Sequence, residues 1–290
     1  MDDRQHRLLG SSPLFLQVVH AARMVAPTDA TVLVTGERGV GKELLAREIH
    51  LHSRRRNRPF RVVGCAGVSP EQFARELDEA DATGTLFLDE VGELAPVHQA
   101  GLMHLLDALD GKARLIASSS LDLYRMMQEG GFREDLYFRL NVVPLELPPL
   151  RQRSDDIVNL LKQFSQQLAR SYGRRPPRYS VTSRNILKAY PWPGNVRELK
   201  NFCQRMAILM TGRMVQPEDL PPEIRRAAAP KPEHSPFTLP PEGIDLAVLE
   251  GEMIRQALGM TGGNRSKAAR LLGISRDTLL YRMQKHAIRA

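Results

Sequence analysis

Three groups of residues in this chain have the types and spacing needed for chemistry on a phosphate chain. The first is Gly36-Glu37-Arg38-Gly39-Val40-Gly41-Lys42-Glu43. Its glycines let successive backbone N–H groups curl around phosphate oxygens, a helix opening there adds positive potential, and Lys42 has the reach to meet the outer phosphates. The general pattern puts Ser or Thr after the lysine to ligate magnesium, whereas Glu43 stands here. A glycine turn before any helix has a similar composition, so the motif alone leaves both readings open. The second group is the acid pair Asp89-Glu90 at the end of Thr85-Leu-Phe-Leu. In such a pair the first carboxylate supports magnesium and the second polarises an attacking water. Acid pairs are also common where strands run into loops. Together the two motifs are far more specific than either, and magnesium would be held by the nucleotide, water and Asp89. The third group is arginine: Arg133 and Arg139 in Phe132-Arg-Glu-Asp-Leu-Tyr-Phe-Arg-Leu140, and Arg197 in Trp192-Pro-Gly-Asn-Val-Arg-Glu-Leu199. Arg197 follows a Pro-Gly turn near a helix start, from which it could swing toward a nucleotide. By composition alone each arginine reads as a surface ion-pair former.

The elements around these groups must hold them at one edge of a sheet. From Leu8 to Leu150 short apolar runs, such as Ala30-Thr-Val-Leu-Val-Thr35, alternate with helical periodicity. That alternation predicts an α/β subdomain over 7–150, a parallel sheet flanked by helices. Beyond it, Ile157, Leu160, Leu161, Phe164 and Leu168 fall on one helical face, and residues 151–215 read as a small all-helical subdomain. Between Gln216 and Pro241 the eight prolines forbid a regular helix, so 216–241 reads as a linker. The remainder, 242–290, holds three helical segments.

The formal net charge of +8 favours a polyanionic partner, because cations that neutralise phosphates gain from counterion release. Cys65 and Cys203 are far apart and have no companions at metal-ligand spacing, which points to neither a disulfide framework nor a zinc site. The start of the sequence is charged, and no run approaches the length of a membrane span, so the chain reads as cytoplasmic with no membrane partner.

The basic character is concentrated at the end. Between Gly262 and Ala290 seven basic residues stand against one acid, Asp277. Asn264 and Ser275 are caps for two short helices separated by Gly273, the pattern of a helix-turn-helix. Its second helix would enter the major groove of double-stranded DNA. Arg276, Asp277, Thr278, Tyr281, Arg282 and Lys285 are candidates for base edges or flanking phosphates, and Arg265 and Lys267 for positioning on the backbone. A helical dimerisation module with a solvated basic face is the plainer alternative. The preceding helix, from Asp245 to Leu258, is expected to supply a dimer face.

Taken together, these residues resemble the AAA+ activators that remodel RNA polymerase carrying the sigma-54 factor, the bacterial enhancer-binding proteins. The resemblance rests on Gly36-Glu-x-Gly-x-Gly-Lys-Glu43, in which Glu43 is the family's own usage, on Gly84-Thr-Leu-Phe-Leu-Asp-Glu90, Phe132 to Asn141, Leu147-Pro-Pro-Leu-Arg-Gln-Arg153 and Trp192 to Leu199, and on a C-terminal helix-turn-helix like that of Fis. It implies an AAA+ P-loop fold with a helical lid, ATP and Mg2+ as cofactors, and RNA polymerase holoenzyme as a partner. Gly36 to Glu43 would form the phosphate loop, Lys42 would bind phosphate, Asp89 would support magnesium and Glu90 would activate water. Arg133 and Arg139 would be fingers inserted into a neighbouring subunit's site, and Arg197 the sensor arginine of the lid. Fingers in trans require a homo-oligomer, from dimer to hexamer.

The sequence also departs from the family. The GAFTGA loop that grips sigma-54 is missing between Cys65 and Gly84, and Leu105 to Ile116 passes almost directly into the next strand where relatives have a second hairpin. The family's asparagine that restrains the catalytic glutamate aligns with Gly64, and its sensor pair aligns with Ser119-Ser120. Glu90 is therefore expected to lose an orienting partner. No regulatory domain is expected ahead of the AAA+ region. The expected protein is a DNA-binding regulator that binds ATP without gripping sigma-54 in the usual way. The alternatives are a working sigma-54 ring ATPase and a non-hydrolysing adaptor of related activators.

Overall fold

In the computed structural model, which describes residues 8–67, 84–108, 111–228 and 243–288, five short apolar strands form one parallel sheet. They are β1 (Val32–Thr35), β2 (Phe60–Gly64), β3 (Thr85–Asp89), β4 (Arg114–Ser119) and β5 (Val143–Glu146), ordered β2-β3-β4-β1-β5. Parallel sheets are covered on both faces, and the alternation of side chains sorts the core accordingly. Val32, Val34, Phe87 and Ile116 pack with Phe15 and Val19 of α1 (Pro13–Val25) and with Leu45 and Ile49 of α2 (Lys42–Leu51). Leu33, Leu86, Leu88 and Ala117 pack against three other helices: α3 (Pro96–Ala108), α4 (Leu123–Gln128) and α5 (Glu134–Leu140). Since all five strands run the same way, the C-terminal ends of β1, β3 and β4 lie along one edge. That edge is where a ligand site of an open α/β sheet belongs.

The next subdomain is helical, but not wholly so. Its long helices are α6 (Ser154–Ser171), α7 (Val181–Ala189) and α8 (Asn195–Leu209), and Ile157, Leu160, Leu161, Trp192, Leu199 and Phe202 fill their common core. A parallel bridge of β6 (Arg178–Tyr179) and β7 (Met214–Val215) ties the turns together. These pairings are too short to leave a period in the sequence. The expected linker also begins too early at 216: Pro217–Asp219 forms a 3-10 turn, and α9 (Pro222–Ala228) is a helix whose Ile224 joins Leu220 in the lid core. Proline at the first position of a helix gives up an N–H that has no partner there, so Pro222 starts this helix rather than forbidding it. The rest of the expected linker, 229–241, lies outside the described residues.

The chain divides into two compact units, Met1–Ala229 and Pro230–Ala290. The second contains α10 (Leu246–Met260), α11 (Arg265–Leu271) and α12 (Arg276–Lys285), with Asp245, Asn264 and Ser275 each accepting a backbone N–H as N-cap. Ile254, Leu258, Ala268, Leu279 and Met283 form its core, and Gly273, at φ +66°, makes the turn between α11 and α12. Among the described residues no helix is long and apolar enough to cross a membrane.

Candidate functional site

The phosphate loop sits at the end of β1. Gly36, Gly39 and Gly41 all have positive φ, +142°, +79° and +110°, a region that glycine enters without the Cβ penalty. Lys42, the first residue of α2, is buried, and its Nζ donates to the Gly36 carbonyl at 2.8 Å and meets Glu90 Oε1 at 2.8 Å. Glu43 points along its own helix to Arg47, 2.7 Å away, so its carboxylate is engaged outside the loop. Arg38, at the tip of the loop, pairs with Glu93 in the 3-10 turn after the acid pair.

Both acids are held by serines of β4 and the residue after it. Asp89 Oδ1 accepts the Ser118 hydroxyl at 2.6 Å, and the same Ser118 oxygen accepts the Glu90 N–H at 3.0 Å. Glu90 Oε2 accepts both the N–H and the hydroxyl of Ser120, each at 2.7 Å. The backbone of Glu90 is left-handed, φ +57°, which costs a non-glycine residue about 1–2 kcal/mol and is typical of strain stored at functional sites. Burial pushes the Glu90 carboxyl up, but Lys42 and Ser120 outweigh it and hold the group below its ordinary value. Gly64 has no side chain to orient Glu90, and among the described residues a Cβ there would meet nothing within 4 Å; Ser120 and Lys42 hold the carboxylate. Ser118 was missed from sequence and Ser119 named in its place. Ser119 turns its hydroxyl to the Leu121 carbonyl, 2.8 Å away, because side chains two apart share a face and 118 and 120 are the pair facing the acids.

The lid grips the outside of the loop. Asn195, buried and at φ +51°, accepts the Leu150 N–H at 2.8 Å and donates to Glu37 Oε2 and the Arg38 carbonyl, both at 3.1 Å. Arg151 clamps Glu37 with bonds of 2.8 and 2.6 Å, and Arg153 donates to the Val40 carbonyl at 3.1 Å. Arg151 and Asn195 together hold the Glu37 carboxyl below its usual range. Arg197 donates its backbone N–H to the Gly39 carbonyl at 3.3 Å, which places this lid residue beside the loop. Gly39 is glycine for a second reason besides its φ: a Cβ there would lie 2.4 Å from the Gly194 carbonyl oxygen.

Arg133 caps α5 from an exposed position and binds Asp135 at 2.7 Å. Arg139 lies 3.9 Å from Asp107 and lines a cleft with Thr31, Arg114 and Val142, residues at the starts of β1, β4 and β5. It therefore sits at the sheet edge opposite its own phosphate loop.

In the second unit Arg265, Lys267, Arg276, Asp277 and Tyr281 are exposed, and Tyr281 keeps 69% of its surface. Thr278 shares the capping of α12, its hydroxyl 2.8 Å from that of Ser275. Arg282 is bound to Glu250 of α10 at 2.6 Å, and Lys285 lies 3.8 Å from the same carboxylate. The face of α12 opposite the buried Leu279 and Met283 carries Asp277, Tyr281 and Gln284, the last of which sequence reasoning passed over. Helical spacing alone, with the core positions known, would have found it.

A P-loop ending in a buried lysine, an acid pair at the end of β3, one strand removed from β1 across β4, and a lid clasping the loop define an AAA+ nucleotide-binding module. Family models match the chain along most of its length: the sigma-54 interaction domain over residues 9–150, the AAA+ ATPase lid domain over 151–236, and the bacterial regulatory protein, Fis family, over 245–286. The transcriptional regulatory protein ZraR of Klebsiella oxytoca is 36% identical over 311 residues, covering 97% of this chain and 69% of the relative. ZraR of Salmonella typhimurium is 38% identical over 312 residues with the same coverage. The crystal structure of NtrX from Brucella abortus in complex with ATP is similar with a TM-score of 0.70 at 32% identity, covering 97% of this chain and 69% of that one. The chain belongs to the family of sigma-54-type transcriptional activators, with an AAA+ module and a Fis-type helix-turn-helix.

Proposed function

We propose that this protein is a DNA-bound transcription regulator of the cytoplasm. Its AAA+ module binds ATP with magnesium to control assembly, and its output does not pass through the usual grip on sigma-54. The observation that carries the nucleotide reading is the convergence of Lys42, Asp89 and Glu90 on one sheet edge, with Ser118 and Ser120 fixing both acids. Gly36 to Lys42 would cradle the phosphates. Asp89, at the end of β3, would support Mg2+, which would neutralise phosphate charge when bound. The solved complex of NtrX with ATP supports nucleotide binding by this fold. The helix-turn-helix, with its excess of basic residues, supports binding of double-stranded DNA.

Three observations support a changed dialogue with polymerase. The segment from Cys65 to Gly84 contains no GAFTGA, although residues 68–83 lie outside the described structure. The alignment with ZraR runs over 311 residues against a chain of 290, so at least 21 of its positions are filled in the relative alone. The passage from α3, ending at Ala108, to β4, starting at Arg114, has room for no hairpin. The reading is tested by titrating the purified protein with a fluorescent ATP analogue and assaying open-complex formation by sigma-54 polymerase. Binding that drops more than about tenfold in Lys42→Ala, a change of about 1.4 kcal/mol, with no open complexes, is expected. Open complexes formed by the purified chain would refute it.

A second reading, a working ring ATPase, is favoured by the orientation of Glu90 despite the glycine at position 64. Arg139 at the edge away from its own loop suits a finger acting on a neighbour. Turnover that appears only when a related activator is added would instead favour an adaptor joining a mixed ring.

A further inference from the structure

Two cations and an imidazole from one end of α12 converge on a single carboxylate of α10. Arg282 Nη1 lies 2.6 Å from Glu250 Oε1, His286 Nε2 lies 2.8 Å from Oε2, and Lys285 Nζ lies 3.8 Å from Oε2. The Glu250 side chain is a quarter exposed and that of His286 nearly buried, so the cluster is part of the packing between the helices. Arg282 lies on the flank of α12 that faces α10, away from the exposed Asp277, Tyr281 and Gln284. A cation bonded to a fixed carboxylate makes a weaker phosphate ligand, because DNA must displace the carboxylate before gaining from counterion release.

We propose that Glu250 is a specificity-determining residue for DNA reading: by holding Arg282 and Lys285 it withholds two cations from the phosphate backbone and fixes the angle at which Asp277, Tyr281 and Gln284 meet the base edges. This rests on the DNA-binding reading above. Phosphate contacts tighten binding to every sequence alike and cancel in the ratio between specific and indiscriminate binding, whereas base contacts discriminate. The ratio therefore rests on the angle that Glu250 sets for the base-facing residues, and the salt dependence on the two cations it withholds. Glu250 acts through the other residues as a positioning group and touches no DNA itself.

The test uses the full chain and two probes, a mixed-sequence duplex and a duplex enriched by the wild-type chain from a randomised pool, with affinities measured across a salt series. Glu250→Gln keeps the shape and removes the charge; Glu250→Ala is the second variant, and thermal melting verifies that each is folded. In both variants the mixed duplex is expected to bind about 3–10 times tighter at low salt. The slope of log K against log salt should steepen by about 0.9 for each cation released, one to two in all. The ratio between enriched and mixed duplex should fall about fivefold or more. A folded variant with unchanged slope and ratio would overturn the proposal. So would weaker binding to both probes at constant slope, which is the signature of a purely structural role. A wild-type chain with no affinity for either duplex would instead overturn the DNA-binding reading on which the proposal rests.

Discussion

Glu90 holds a left-handed backbone at the end of a strand, and four bonds keep it there: Ser118 takes its N–H, Ser120 binds Oε2 twice, and Lys42 meets Oε1. The carboxyl is held below its ordinary value, so its contribution to stability is fully present above the usual carboxylate range and is lost as pH falls through the folded value. Ser120→Ala should remove about 1 kcal/mol at pH 7 and less as the pH falls through the folded value and Glu90 takes up its proton. Melting temperatures of the two proteins compared over a descending pH series check this; a gap that stays constant through the acid limb would assign the loss to packing. The acids and the lysine were legible because a strand, a glycine turn and charge at fixed offsets leave few alternatives. The serine facing them was not. Assigning Ser119 rather than Ser118 came from aligning a motif, and a strand's alternation decides such a choice only once its register against β3 is known.

At the level of elements, the lid and the phosphate loop behave as one piece. Asn195 uses both ends of its amide, joining Leu150 to Glu37 and Arg38, and Gly39 lets the Gly194 carbonyl come close. Asn195→Ala leaves a buried N–H of Leu150 without a partner, a cost of about 1–3 kcal/mol. It should also weaken nucleotide affinity several-fold without removing any group expected to touch phosphate. Calorimetric melting and nucleotide titration separate the two effects, and stability lost with affinity intact would confine Asn195 to the lid. The sequence showed where this lid begins, because the face of α6 is periodic from Ile157 to Leu168. It hid where the lid ends. A segment rich in proline signals a loop by count, yet each proline acts by position, and Pro222 stands where a helix accepts one.

For the whole molecule, the two arginines of α5 raise a question about neighbours. Arg133 is exposed and paired only locally with Asp135, and Arg139 sits at the edge of the sheet remote from its own phosphate loop. Where the assembled chain turns ATP over, Arg133→Ala should slow it by on the order of 10³ while leaving nucleotide binding unchanged. A drop of less than about threefold would reduce Arg133 to a surface ion pair. Spacing and composition could not point to such a role, since a finger would act on a group of another copy; the family resemblance alone suggested it. The division into a nucleotide unit and a reader unit was legible, because proline density and a change of charge mark it together.

Beside Gly64 there is unfilled space, on an extended strand paired in register with the one that ends in Asp89. Among the described residues no packing at that position demands glycine. An asparagine could be placed there by one substitution with no compensating change among those residues, carrying an amide beside the strand end that holds the acids.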